Sequence, residues 1–349
     1  MHFTSAIWSL FLLPAILAAP THSPRASVTL ETVGLFPNAT WVENAAVRSN
    51  GQLLVTLLSS PDVYQVDPFR AQPPKLVQTI PGVTGLLGIA EVEPDVFAVV
   101  AGNLSLATVV STPGAHKSTY CAKAATNHDT PAGSYSIWKV DVRTSRPTAS
   151  KVTDIPTAQF LNGMIVLDTS GTVLVADSGA GAVYRVNTRT GENEVVITDP
   201  LMQPAAGAPF QLGINGINIR NGYLYFTSST QGLFARIAIR ADGTPAAGAA
   251  AVVSRTGAVD DFAFARNGAA YIATNLGNTL LEVTPAGNAT VVAGNVNSSV
   301  LAGATSAHFG RTAADSSVLY VTTDGRFTNA AGNATFLPGK VVAVHGLQV

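Results

Sequence analysis

Six times along this chain an apolar or half-apolar tetrapeptide recurs at the centre of what reads as a short strand. These are LLVT around Val55, FAVV around Val99, LVAD around Val175, YFTS around Phe226, YIAT around Ile272 and YVTT around Val321. The intervals between centres are 44, 76, 51, 46 and 49 residues, and a further strand follows each in step, at 63–66, 137–140, 183–186, 234–237, 280–283 and 341–344. The clearest copy is 160–199, where strand-like runs at 160–168, 173–176, 182–187 and 194–198 are separated by turns containing Gly171, Gly179, Gly181 and Gly191. Short strands joined by glycine turns make a four-stranded antiparallel meander. One such sheet cannot bury both of its faces, so the copies must pack against one another. Six copies of this period predict an all-β fold, a six-bladed β-propeller with four antiparallel strands per blade. The period is too long for the coils of a β-helix and too regular for a β-sandwich.

The last repeat ends after its third strand, at 341–345. A strand predicted at 28–35 can supply the fourth and close the ring, which removes exposed sheet edges. The predicted organisation is therefore a signal peptide at 1–19, a Pro/Ser/Thr-rich leader at 20–27 and one propeller domain at 28–349. The leading segment has an apolar run at 7–17 and small residues Ala15, Ala18 and Ala19 at its end, which is the pattern of a secretory signal. Secretion agrees with five N-x-S/T sequons, at Asn38, Asn103, Asn288, Asn297 and Asn333. Cys121 is the only cysteine, so no internal disulfide forms, and its thiol would need a base such as His116 or His128 to be reactive. A net charge of −1, with no Lys/Arg cluster, argues against a nucleic-acid partner. No apolar run has the length of a membrane span.

Two loops break the regularity. From second-strand centre to third-strand centre four repeats use 9 residues, whereas the second uses 39 and the sixth uses 21. Both loops would lie at the mouth where the innermost strands begin, and long loops on a rigid scaffold carry binding or form lids. The first insertion (105–134) brings Lys117, Tyr120 and Lys123, and the second brings Arg326, Phe327, Asn329 and Phe336.

Counting eleven residues back from each second-strand centre reaches Asn44, Gly88, Asn215, Asp261 and Gly310; in the third repeat, with a longer turn, the counterpart is Asn162. Glu43 precedes Asn44 and Asp260 precedes Asp261. Oxygen-bearing side chains from four repeats would thus converge at one mouth of the central channel. Carboxylates and amide carbonyls are the hard ligands that calcium takes; the same residues can instead serve as turn formers and caps. Trp41, Phe160, Met164, Phe210 and Phe309 are the candidate apolar walls, and Asn44, Asn162, Asn215, His308 and Tyr120 the candidate hydrogen-bonding groups.

With its repeat and its ring, the chain resembles the SMP-30/gluconolactonase superfamily of six-bladed propellers, which includes paraoxonase-like lactonases. That resemblance implies calcium held by Glu43, Asn162, Asn215, Asp260 and Asp261, with Asn44 standing where the pattern has an acid. Phrases such as WVENAAVRSNGQLLVT (41–56) and FLNGMIVLDTSGTVLVADSGAGAVYRV (160–186) resemble more closely a fungal secreted subgroup. Some members of it are hetero-Diels–Alderases of tropolone-sesquiterpenoid biosynthesis. Three readings follow. A pericyclase would need no cofactor, only a pocket for hydrophobic small molecules with Trp41, Asn44, Tyr120, Phe160 and Phe309 around the substrate. A calcium-dependent lactone hydrolase would use the metal ring with Glu43 or His308 as base. A non-catalytic propeller would bind a small molecule without turnover.

Overall fold

Strands sandwiched between two neighbouring sheets must be apolar on both sides, and the second strand of each repeat is built that way. The computed structural model of the protein describes residues 27–104, 133–208, 210–257, 259–328 and 334–349. The expected signal peptide, most of the leader, Tyr120, Cys121 and the histidines of the first insertion, and Asn329 and Asn333 of the second, lie outside the described residues.

Strand β1 (Thr29–Asn38) opens the described chain. Blade one is β2 (Val42–Val47), β3 (Leu53–Leu57), β4 (Asp62–Val66) and β5 (Lys75–Thr79). Blade two is β6 (Gly85–Glu93), β7 (Val96–Gly102), β8 (Ser136–Asp141) and β9 (Thr148–Asp154). Blade three is β10 (Leu161–Val166), β11 (Thr172–Asp177), β12 (Ala182–Asn187) and β13 (Asn193–Thr198). Blade four is β14 (Ile214–Arg220), β15 (Tyr223–Ser228), β16 (Leu233–Ala238) and β17 (Ala251–Arg255). Blade five is β18 (Phe262–Phe264), β19 (Ala270–Thr274), β20 (Thr279–Val283) and β21 (Ala289–Gly294). Blade six begins with β22 (Ala304–Phe309) and β23 (Leu319–Thr323), passes through a small hairpin of β24 (Arg326–Thr328) and β25 (Ala334–Phe336), and returns as β26 (Pro338–His345). Each blade is a four-stranded antiparallel sheet, and together they form a six-bladed β-propeller.

The ring closes as the sequence predicts: β1 pairs antiparallel with β26, Thr29 opposite His345 and Asn38 opposite Pro338. The strand runs past its predicted end at 35. Burial peaks at the second strand of a blade and is lowest at the outermost. Every residue of β3, β7 and β11 is buried, whereas the outermost β5 and β13 are mostly exposed. Because side chains alternate along a strand, one strand feeds two cores. Val173 and Val175 of β11 pack with Ala98, Val100 and Ile137 of blade two, while Leu174 and Ala176 pack with Leu224, Phe226 and Ala235 of blade four. Among the described residues no helix is long and apolar enough to cross a membrane.

Candidate active site

The pairing of the inner strands fixes which residues share a level around the channel. Val55 stands opposite Ala45, Val99 opposite Ile89, Val175 opposite Met164, Phe226 opposite Ile217, Ile272 opposite Phe262 and Val321 opposite Ala307. Two residues before each partner lie Glu43, Leu87, Asn162, Asn215, Asp260 and Thr305; one residue before lie Asn44, Gly88, Gly163, Gly216, Asp261 and Ser306. The single ring expected from a constant count is therefore two stacked layers. Gly310 belongs to neither: the turn between β22 and β23 is longer than its counterparts, which puts Gly310 beyond the far end of the inner strand.

Glu43, Asn162, Asn215 and Asp260 of the first layer form a polar floor in a front pocket that is open to solvent. The rest of the lining is Trp41, Leu58, Phe160, Phe210, Leu212, Val259 and Leu276, with the polar Ser229 and Asn275 among them. Trp41, Phe160 and Phe210 thus stand where the sequence predicts. Phe309 does not: it lies at the other end of β22, in a back groove with His308 and Arg311, its ring 5.7 Å from Tyr271. Met164 is buried in the core between blades two and three. Of the sequons, Asn38, Asn288 and Asn297 are exposed and Asn103 is half-buried.

Sequence reasoning missed the residues that orient the floor. Counting three residues forward from each second-strand centre gives Leu58, Gly102, Ser178, Ser229, Asn275 and Asp324. This second polar set was as visible in the chain as the first. Asn162 Nδ2 donates to Ser178 Oγ at 3.3 Å and Asn215 Nδ2 to Ser229 Oγ at 3.0 Å. The serines in turn donate to the carbonyls of Ile214 and Val259 on the next blade or the loop leading into it, at 2.5 and 2.8 Å. One amide hydrogen of each asparagine is engaged in this way, and Asn215 is also hydrogen-bonded to the Asp260 carboxyl, so both carbonyl oxygens and the second amide hydrogen of Asn162 are left to face a ligand. Asn275 is held between two groups of blade six: its Nδ2 donates to Asp324 Oδ2 at 3.0 Å, and its Oδ1 accepts from Arg326.

The second layer seals the channel beneath the floor. A Cβ on Gly88 would stand 2.3 Å from Asn162 O, one on Gly163 2.5 Å from Asn215 O, and one on Gly216 2.1 Å from Asp261 Oδ1. Only residues without side chains let these inner strands approach so closely. Across the same layer Asn44 Nδ2 donates to Asp261 Oδ2 at 2.9 Å, and Asp261 Oδ1 accepts from Phe262 N at 2.7 Å. Asn44 Oδ1 accepts from Ala45 N at 2.8 Å and meets His308 Nε2 at 3.0 Å, so that ring nitrogen carries the hydrogen. Asn44 and His308 belong to this seal and are not among the residues lining the pocket.

The electrostatics of the floor are set by burial. Burial pushes the Glu43 carboxyl up to about 8, with the nearby Asp324 and Asp261 carboxyls adding to the rise and the hydrogen bond from Trp41 Nε1 opposing it. Asp260 is held well above the carboxylate range by burial and by Glu43. Asp261 is pushed up to about 6 by burial, against the donors Asn44 and Phe262 N. Asp324 also reaches about 6 through burial, against Arg326 and Asn275. Burial lowers His308 to about 4 and keeps it neutral. Among the described residues no Lys or Arg forms an ion pair with Glu43, Asp260 or Asp261.

This donor set fits a hard cation only as a mixed site. Among the described residues no group of three or more His, Cys, Asp and Glu side chains forms a metal-holding set. Glu43 and Asp260 would need the carbonyl oxygens of Asn162 and Asn215 beside them, and Asp261 faces Asn44 instead of the pocket.

No protein-family model matches the chain. A Phoma sp. protein provisionally named a hetero-Diels–Alderase is 31% identical over 316 residues, covering 82% of this chain and 84% of its own. A counterpart from Sarocladium schorii, provisionally named likewise, is 30% identical, covering 82% and 76%. Among solved structures, a luciferin-regenerating enzyme superposes with a TM-score of 0.61 at 13% identity, covering 92% of this chain and 96% of its own. Regucalcin of Agrobacterium tumefaciens, a calcium-binding protein, superposes with a TM-score of 0.54 at 14% identity, covering 90% and 96%. The structural likenesses concern the propeller fold; the identity to the first two proteins, over most of each chain, shows that this chain belongs to their family, a family of propeller enzymes.

Proposed function

We propose that the protein is a pericyclase of the hetero-Diels–Alder type, joining a carbonyl-bearing heterodiene to the alkene of a hydrophobic partner in the front pocket. The observation that carries this reading is the make-up of that pocket: most of its lining is aromatic and aliphatic, and four of its six polar residues come from the innermost-strand layer. Such a reaction forms two bonds with no net proton transfer, so the protein must align two apolar partners and polarise one carbonyl. Alignment alone can supply several kcal/mol, up to roughly 7–11 in the most favourable intramolecular cases. Glu43 suits the second task. Its Oε2 accepts from Trp41, and burial keeps the acid protonated at neutral pH. A protonated carboxyl in an apolar site donates a hydrogen bond to an oxygen on which negative charge grows.

The test supplies purified protein with an ortho-quinone methide generated in situ and a cyclic terpene alkene. The reading expects faster adduct formation with a single stereochemical outcome, and a loss of about 100-fold in rate for Glu43→Ala. Equal rates and equal isomer ratios with and without protein would overturn it.

A second reading, calcium-assisted lactone hydrolysis, is favoured by the four oxygen donors that Glu43, Asn162, Asn215 and Asp260 bring from four blades. Calcium bound there would polarise a lactone carbonyl. Stoichiometric calcium in the purified protein, together with lactone turnover that EDTA abolishes and calcium restores, would favour this reading over the first.

A further inference from the structure

Inner strand β18 spans three residues where its neighbour β14 spans seven. Between blades four and five, away from the front pocket, lies an open groove. An aromatic ladder leads into it. Phe234 meets Phe262 edge to face at 4.9 Å, and Tyr225 stacks on Phe234 at 5.7 Å and meets Phe264 edge-on at 4.8 Å. The ladder is buried at Phe234 and half-buried at Tyr225 and Phe264, where it reaches the groove.

Two arginines stand at that opening. The Arg220 guanidinium lies 5.3 Å over Phe264 and donates to the carbonyls of Ala265 and Arg266, both at 3.0 Å. The Arg236 guanidinium lies 4.7 Å over Tyr223 and 5.8 Å over Tyr225, and its Nη1 donates to the Tyr225 hydroxyl at 3.0 Å. Arg48, Arg70, Arg143, Arg185, Arg189 and Arg311 each stand beside an acid. Among the described residues Arg220 and Arg236 do not, and neither Asp nor Glu lines the groove. A guanidinium has five N–H donors arranged in a fork that matches a carboxylate, and these bonds leave most of those on Arg236 uncommitted.

We propose that this groove is a second binding site, for a planar aromatic carboxylate, with its ring on the tyrosine and phenylalanine faces and its carboxylate on the two guanidiniums. The site is independent of the reaction in the front pocket. Calorimetric titration with sodium 2-naphthoate, against neutral 2-naphthamide of the same shape, tests it at low salt. The expected result is saturable binding of the naphthoate, with the amide weaker by about tenfold or more. Arg236→Met, an exposed position, should weaken naphthoate binding by a similar factor at unchanged melting temperature and unchanged catalytic rate. Arg220→Lys, which keeps the charge and loses the fork, should weaken it as well. Absence of saturable binding, equal affinity for acid and amide, or wild-type affinity in both variants would overturn the proposal.

Discussion

The two ends of the same inner strands resolve their charges in opposite ways. At the back, Arg48 pairs with Asp95 at 2.8 Å, and Arg311 pairs with Glu91 while donating to the carbonyl of Val47. At the front, Glu43 and Asp260 are buried on one floor with no cation beside them among the described residues. Burying acids without a counter-charge opposes folding, and under the proposed function a ligand carbonyl meeting these groups would offset part of that cost. The back holds the blades together; the front keeps its polar groups available.

The contrast depends on the layer between the ends, and the largest effect should come from breaking it. Gly163→Ala would force a Cβ to within 2.5 Å of the Asn215 carbonyl oxygen, a main-chain atom that cannot swing aside. We expect a loss of about 3 kcal/mol in urea unfolding, the cost of overpacking a tight contact.

An intermediate effect should come from titrating the front. The Glu43 carboxyl rises from 4.5 in the unfolded chain to about 8 in the folded one. The folded state therefore binds that proton more tightly, and the stability it contributes is lost as pH rises towards 8. His308, lowered from 6.5 to about 4, has the opposite sign below pH 6.5, where the unfolded chain takes up the proton first. Between pH 6.5 and 8 the acids act alone, and stability should fall by about 1 kcal/mol per pH unit. Melting temperatures across that window check it. Glu43→Gln should flatten the fall, and added calcium should oppose it only if the floor holds the ion. A melting temperature that rises through the window would remove the contrast between the ends.

The smallest effect belongs to the back. Arg311→Gln breaks a partly exposed ion pair with Glu91, worth about 1 kcal/mol or less. Unfolding should register little, and the front pocket's activity nothing.

Much of this was legible in the chain. The second strands announce six blades because burial on both faces forces apolar runs, and the missing last strand had to come from the N-terminus. The floor was half-legible. Spacing picks out Glu43, Asn162, Asn215 and Asp260, but a constant count puts Asn44 and Asp261 beside them. The hairpin turns differ in length: the paired centres are 10 residues apart at Ala45 and Val55, 11 at Met164 and Val175, 9 at Ile217 and Phe226 and 10 at Phe262 and Ile272. A one-residue slip moves a side chain to another level. Phe309 stands at the other mouth because the long turn between β22 and β23 defeats the same count in blade six. Ser178, Ser229, Asn275 and Asp324 were overlooked although they recur at one offset, because small polar residues after a strand read as ordinary turns.

The seal of Gly88, Gly163 and Gly216 has a consequence for anyone wishing to redesign this enzyme. Behind the floor, main chain of adjacent blades meets at Gly88 and Gly163, and on that side of the ring no larger residue can be fitted to shorten the pocket. The other side of the same layer is the Asn44–Asp261–His308 set of side chains, where depth could be recut. Other specificities can be written in Trp41, Phe160, Phe210 and Leu276, at the walls and rim, where the chain can change without asking the ring to move.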